Sequence, residues 1–235
     1  MMAARHWALI PAAGVGRRFG GKTPKQYLRL ADAMVIDHVL GVFVEHAAIS
    51  GCVVALSPDD GYWPDSRFAT HPRVRRAPGG RERSDSVASA LALLAEVADD
   101  DDWVLVHDAA RPCLRAQDLD ALLAALPDEP VGALLAVPVH DTVKQTADGE
   151  RVQSTLPRAS LWRAYTPQAF RLGLLRRALA GAAADNQAVT DDASAVERLG
   201  LKPRLIEGGS DNIKITRPED LPLARFYLEQ QGRLC

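Results

Sequence analysis

Apolar residues along the chain fall into two recurring patterns. Trp7 to Ile10, Cys52 to Leu56, Trp103 to Val106 and Ala133 to Val139 are short, largely unbroken apolar runs, which predict strands buried on both faces. Between them apolar positions recur at helical spacing. Val35, Ile36, Val39, Leu40 and Phe43 form one such set, Val87, Leu91 and Leu94 mark a helix over Ser84 to Ala98, and a third helix is predicted over Ala116 to Leu126. Strand and helix in alternation predict an α/β chain, a Rossmann-like, mostly parallel sheet flanked by helices, with ligands at the carboxyl ends of the strands.

The pattern changes over 139–162. Alternating residues surround Asp148-Gly149, a two-residue hairpin signal, and predict a projecting β-arm inserted into a single domain spanning 1–235. Helices then follow at Arg171 to Ala180 and Asp191 to Leu199, strand-like segments at Arg204 to Glu207 and Ile213 to Thr216, and a last helix from Pro218, a residue suited to a first helical position.

Composition narrows what such a fold could serve. The 235 residues are 47% hydrophobic and 25% charged, the balance of an ordinary globular chain. A formal net charge of -2, with Lys and Arg scattered rather than in blocks, gives no general attraction to nucleic acid or anionic lipid, so neither is an expected partner. No apolar run is long enough to span a bilayer, and Met1 to Trp7 has no signal-peptide core. Cys52, Cys113 and Cys235 are far apart with no C-x-x-C pair, which fits free thiols in a reducing cytoplasm.

Candidate chemistry begins after the first strand. The loop Pro11-Ala-Ala-Gly-Val-Gly-Arg-Arg-Phe-Gly-Gly-Lys-Thr-Pro-Lys-Gln26 joins small residues, which let a ligand approach the backbone, to the cations Arg17, Arg18, Lys22 and Lys25. That is the make-up of a polyphosphate loop. Two other phosphate patterns overlap it. Gly14-Val-Gly16-Arg-Arg-Phe19 starts like a dinucleotide fingerprint, but Phe19 stands where a third glycine is needed for helix and strand to pack closely. Gly16 to Thr23 satisfies the P-loop pattern G-x-x-x-x-G-K-[ST], with Trp103 to Asp108 as its companion strand. Against it, Pro24 biases Thr23 away from the α region and removes a backbone donor where the P-loop helix begins.

Segments across nearly the whole chain then resemble one family, in order. They are Pro11-Ala-Ala-Gly-x-Gly-x-Arg18 with Pro24-Lys25-Gln26, Gly79-Gly80-x-x-Arg83-x-x-Ser86-Val87, Val106-His-Asp108-Ala-Ala-Arg111-Pro112, Asp141-Thr142-x-Lys144, Thr166-Pro-Gln168, Thr190-Asp191-x-Ala193-Ser194 and Asp211-Asn-x-Lys214-x-Thr216. The set resembles the 2-C-methyl-D-erythritol 4-phosphate cytidylyltransferases of the non-mevalonate isoprenoid pathway. Arg81 departs from it, standing where an acidic residue often follows the glycine pair.

The resemblance implies a nucleotidyltransferase fold and transfer of CMP from CTP to 2-C-methyl-D-erythritol 4-phosphate with release of pyrophosphate. It implies Arg18 and Lys25 as catalytic cations, and CTP contacts from Pro11, Ala12, Ala13, Gly14, Gly79, Gly80, Arg81, Ser86, Asp108 and Ala109. Acceptor contacts are implied for Arg158 and Lys214, with Arg111, Thr142, Thr166 and Thr190 nearby. Asp108 and Asp211 are implied as oxygen ligands for Mg2+ or another hard divalent cation. His107 reads as a packed strand residue. The family's arms interlock, so a symmetric homodimer through the β-arm is implied, each arm carrying residues into its neighbour's site.

Three other functions share parts of this pattern. A sugar-1-phosphate nucleotidyltransferase would use the same loop with a larger sugar pocket. A P-loop NTPase would depend on Lys22 rather than Lys25. A nucleotide-binding sensor would keep the glycines without needing Arg18, Lys25, Arg158 and Lys214 together.

Overall fold

A computed structural model describes residues 4–14 and 23–234 of the chain. In chain order the strands and helices are β1 (His6–Pro11), β2 (Arg29–Leu30), β3 (Ala33–Met34), α1 (Val35–Val44), β4 (Ile49–Leu56), β5 (Val74–Pro78), α2 (Arg83–Leu94), β6 (Trp103–Val106) and α3 (Ala116–Ala125). There follow β7 (Gly132–Pro138), β8 (Val143–Thr146), β9 (Val152–Leu156), β10 (Trp162–Arg171), α4 (Leu172–Ala184), α5 (Asp192–Glu197), β11 (Arg204–Glu207) and α6 (Asp220–Gln230).

The central sheet has seven strands in the order β11-β7-β10-β6-β1-β4-β5. Only β10 runs antiparallel to its neighbours, β6 and β7. The remaining pairings are parallel, so the expected mostly parallel sheet is the one observed. Alternation along β1 explains why its apolar run is unbroken. Ala8 and Ile10 enter a core shared with α1 and α3, whereas Trp7 and Leu9 enter a second core shared with α2, α4 and α5. A smaller cluster, including Leu30, Val35, Ile215 and Leu228, seats α6 against the start of α1.

Several boundaries differ from the sequence reading. The helix expected over Ser84 to Ala98 ends at Leu94, and that expected over Arg171 to Ala180 runs from Leu172 to Ala184. Ile213 to Thr216 is not a strand. Its amide groups make single bonds instead of a ladder, with Ile213 N–H donating to Asp211 O and Ile215 N–H to Ala110 O. Two strands of the central sheet have no counterpart in the reading, nor has the short β2–β3 pair. β5 exposes Arg75 and Arg76 at the sheet edge, and β10 contains Pro167, which a central strand ordinarily excludes. The pairing of β10 with β7 shifts register between Ala164 and Gln168, the stretch that holds this proline.

Within 139–162, β8 and β9 form a separate antiparallel pair. Their connection is longer than the two residues expected from Asp148-Gly149. Val152 pairs with Thr146, and Asp148 Oδ1 accepts from the Glu150 and Arg151 amides and from the Thr146 hydroxyl. A carboxylate that collects these donors stabilises a wider turn, with Gly149 at φ +81° taking its left-handed position.

Candidate active site

The loops at the carboxyl ends of β1, β4, β5 and β6 meet on one edge of the sheet. Ala12 N–H donates to Ala55 O, and Gly79 N–H to Leu56 O at 2.6 Å, tying the loops after β1 and β5 to the end of β4. Gly79 permits this closeness. A Cβ there would collide with the Ala13 methyl and sit 3.0 Å from Leu56 O. Gln26, almost fully buried, donates through Nε2 to Ala12 O at 2.7 Å and Gly14 O at 3.2 Å, so the segment after Pro24 fixes the path of the chain leaving β1.

These loops enclose a cleft of about 180 Å³. Pro11, Ala13, Gly14, Gly80, Arg81 and Ser86 line it on the glycine side; Lys25, Asp108, Ala109 and Lys214 line it on the other. The Ser86 hydroxyl donates to Glu82 O and accepts from Gly80 N–H, tying the glycine turn to the first turn of α2. Lys25 Nζ donates to Ile215 O at 3.0 Å. Arg18 lies outside the described residues, as do Gly16, Arg17, Phe19 and Lys22, and with them most of both alternative phosphate motifs.

A second cavity of about 240 Å³ adjoins the first. Arg111, Thr166 and Thr190 line it together with Tyr165, Gln168 and Asp191. Asp108, Arg83 and Lys214 line both. The junction is therefore a carboxylate among cations: Lys214 Nζ is 2.9 Å from Asp108 Oδ2, Arg83 Nε 3.1 Å from Oδ1, and Arg111 Nε 3.3 Å from Oδ2. Burial alone would raise the Asp108 pKa, but Arg83, Lys214 and Arg111 together hold it far below the usual carboxylate range. Asp108 is thus ionised at neutral pH.

Arg83 reaches further. Its Nη2 lies 2.7 Å from Asp192 Oδ2, on a carboxylate that is 1% exposed and opens α5. Burial pushes the Asp192 carboxyl upward, with Arg83 opposing it. Asp191 caps the same helix by accepting from Ser194 N–H, and Gln168 ties that cap to β10 by donating to Asp191 Oδ2 and accepting from Ala193 N–H. One guanidinium therefore joins the strand-end carboxylate to the wall that carries Thr190. Arg83 stands within a motif of the sequence, but its role is not legible there, because its partners are 25 and 109 residues away.

Other expected site residues lie elsewhere. Arg158 and Thr142 are exposed near the β8–β9 pair and line neither cavity; Arg158 donates to His140 O. Ala12 and Gly79 line neither cavity, their amides being bonded to Ala55 O and Leu56 O. Arg111 is largely committed to scaffolding, stacking over Tyr165 and donating to Asn212 O. Asp211 is not brought to Asp108. Its Oδ2 takes Arg115 at 2.7 Å and Gln231 at 2.8 Å, and it lines neither cavity. Among the described residues no three His, Cys, Asp or Glu side chains converge as a metal cage. His107 is fully buried, which lowers its pKa to about 4 and keeps the ring neutral.

A cleft at the strand ends of a mostly parallel sheet, opening through a charged junction onto a second pocket, is the layout of a nucleotidyltransferase. The comparisons make the class specific. Residues 6–230 match the family model described as IspD: 2-C-methyl-D-erythritol 4-phosphate cytidylyltransferase. The chain is 56% identical over 220 residues to the 2-C-methyl-D-erythritol 4-phosphate cytidylyltransferase of Pseudomonas entomophila, covering 93% of this chain and 94% of that one. It superposes with TM-score 0.84 on a crystal structure of a 4-diphosphocytidyl-2C-methyl-D-erythritol synthase, at 40% identity and with coverage of 97% and 100%. The Francisella tularensis enzyme gives the same TM-score at 35% identity, covering 96% and 100%. The chain belongs to the 2-C-methyl-D-erythritol 4-phosphate cytidylyltransferase family, a family of enzymes.

Proposed function

We propose that this chain transfers the cytidylyl group of CTP to 2-C-methyl-D-erythritol 4-phosphate, forming 4-diphosphocytidyl-2-C-methyl-D-erythritol and pyrophosphate. The observation that carries the proposal, beside family membership, is the junction at Asp108, Arg83 and Lys214, shared by the two adjoining cavities. CTP occupies the glycine-lined cleft and the acceptor the Thr166 and Thr190 side. Their phosphates then meet where the cations are.

The reaction is a single displacement. An acceptor phosphate oxygen attacks the α-phosphorus of CTP, a new P–O bond forms, and the bond from the α-phosphorus to the bridging oxygen breaks as pyrophosphate leaves. A phosphate monoester has a second pKa of about 6, so the nucleophile is already largely ionised at neutral pH and needs no protein base. What the protein supplies is position and positive charge. Lys25 and Lys214 face the growing charge on the phosphoryl oxygens, with Arg18 assigned the same role by resemblance, and each preorganised donor contributes roughly 3 kcal/mol.

Magnesium fits this site through one carboxylate. Asp108 keeps lone pairs beyond those used by its three cations, and Mg2+ ordinarily takes one or two carboxylates with the remainder from substrate phosphates and water. When bound, the ion neutralises triphosphate charge. Asp211, held by Arg115 and Gln231, supports the loop that presents Lys214.

In a symmetric homodimer the β8–β9 region would bring Arg158 and Thr142 to the neighbour's acceptor pocket, which accounts for their distance from both cavities of their own chain. Buried free Cys52 and Cys113 suit the cytoplasm, where we place the enzyme.

The test is pyrophosphate release by the purified chain with magnesium and each nucleotide, with and without methylerythritol phosphate. Release is expected only with CTP and acceptor together, to be lost in Lys25→Ala and largely kept in Lys22→Ala. Phosphate release without acceptor that depends on Lys22 would restore the P-loop reading.

A further inference from the structure

The buried ring beside Asp108 holds a proton position that the partners themselves determine. His107 Nε2 lies 3.0 Å from the carbonyl oxygen of Arg111. A carbonyl only accepts, so Nε2 carries the hydrogen. A neutral imidazole has a single N–H, and with that hydrogen on Nε2 for the carbonyl, Nδ1 is an acceptor; among the described residues no carboxylate hydrogen-bonds to either ring nitrogen. The group 3.0 Å from Nδ1 is the Thr166 hydroxyl, which must therefore donate to it. Thr166 Oγ1 also accepts the Asp108 amide hydrogen at 3.2 Å.

A threonine hydroxyl has one hydrogen. With that hydrogen committed to His107, Thr166 can offer a ligand only lone-pair electrons. Thr166 lines the acceptor pocket. An ionised phosphate has no hydrogen to give and would meet this oxygen lone pair to lone pair. An alcohol hydroxyl can donate to it.

We propose that His107 is a positioning residue that fixes the Thr166 hydroxyl as a hydrogen-bond acceptor, so that this wall of the pocket recognises an alcohol group of a phosphorylated polyol and turns its phosphate away. The inference rests on the acceptor pocket proposed above and adds the direction in which the polyol lies. Its alcohol end faces Thr166, and its phosphate faces Lys214 and Arg83 at the junction. The chain from Arg111 O through His107 and Thr166 to the Asp108 amide also links the recognition of the alcohol to the end of β6.

Two measurements test it on the full-length protein. Imidazole ¹⁵N spectroscopy near neutral pH, with the His107 ring assigned by its loss in His107→Gln, should find Nε2 protonated and Nδ1 bare; a proton on Nδ1 would overturn the proposal. In steady-state kinetics, acceptor analogues carrying fluorine in place of one hydroxyl cannot donate at that position. One of them should raise the acceptor KM by about five- to tenfold with the CTP KM unchanged, an effect kept in Thr166→Ser and abolished in Thr166→Val. If no analogue is penalised, or the penalty survives in Thr166→Val, the proposal fails. A protein that does not turn over CTP with this acceptor would refute the functional reading, while the ring spectrum still decides the role of His107.

Discussion

On the side proposed for the nucleotide the cleft is formed by backbone at the ends of adjacent parallel strands, with Gly79, Gly80 and the Pro11 to Gly14 segment kept close by amide-to-carbonyl bonds. On the side proposed for the acceptor the wall is formed by residues of β10, by Thr190 and Asp191 just before α5, and by Lys214, locked together by Arg83, Gln168 and Asn212 across long sequence separations. The first needs small residues in a short stretch. The second needs charges and amides that find one another only after folding. Backbone recognition suits a ligand part common to many proteins, a nucleotide, whereas a side-chain cage can be specific to one small polyol.

The largest test of that contrast is at the group that spans it. Arg83→Leu leaves Asp192 buried with one oxygen already lacking a partner, and removes one cation from Asp108. We expect a loss of about 3 kcal/mol in urea unfolding and a rise in KM for both substrates. A change in only one KM would mean that Arg83 serves one cavity.

Gly79→Ala sharpens the nucleotide half. The added methyl meets Ala13 and Leu56 O, so the loop after β5 must move away from β1. Overpacking of this kind costs about 1–3 kcal/mol, and the CTP KM is expected to rise while the acceptor KM stays constant. Gln168→Leu probes the opposite half, because it unties the α5 cap from β10. Its expected effect is a rise in acceptor KM of about tenfold with CTP binding retained, as measured by calorimetry. The smallest effect is expected at Thr190→Val. Its exposed hydroxyl bonds only weakly to Ser194, at 3.3 Å, so a two- to fivefold rise in acceptor KM, roughly the worth of one hydrogen bond, is the outcome to look for.

The same contrast explains what could be read in the sequence. β1, α1, β4, β6 and α3 were legible because burial on both faces of the sheet leaves unbroken apolar runs, and the helices cover them with regular apolar stripes. The glycine loops and Asp108 were legible because they sit directly at those strand ends. β10 was not, since Pro167 forbids the ladder pattern that marks a central strand and the chain accommodates it with a register shift. β5 was hidden by arginines that an edge strand can afford. Arg83 could be quoted from a motif, but its role depends on Asp108 and Asp192 arriving from distant segments. Asp211 illustrates the converse: a carboxylate near Lys214 in sequence faces Arg115 and Gln231 in the fold. The alternation around Asp148 gave the β8–β9 pairing, while the carboxylate's capping of several donors set a turn length that residue type alone does not encode.

The central claim is that two phosphates meet at Asp108, Arg83 and Lys214 and react directly, without a covalent enzyme intermediate. The most direct measurement is the configuration at phosphorus when CTP made chiral at its α-phosphorus, by sulfur in place of one non-bridging oxygen, is turned over with methylerythritol phosphate. A single in-line displacement is expected to invert that centre. Retention would mean two displacements, hence a protein nucleophile, and would contradict the account.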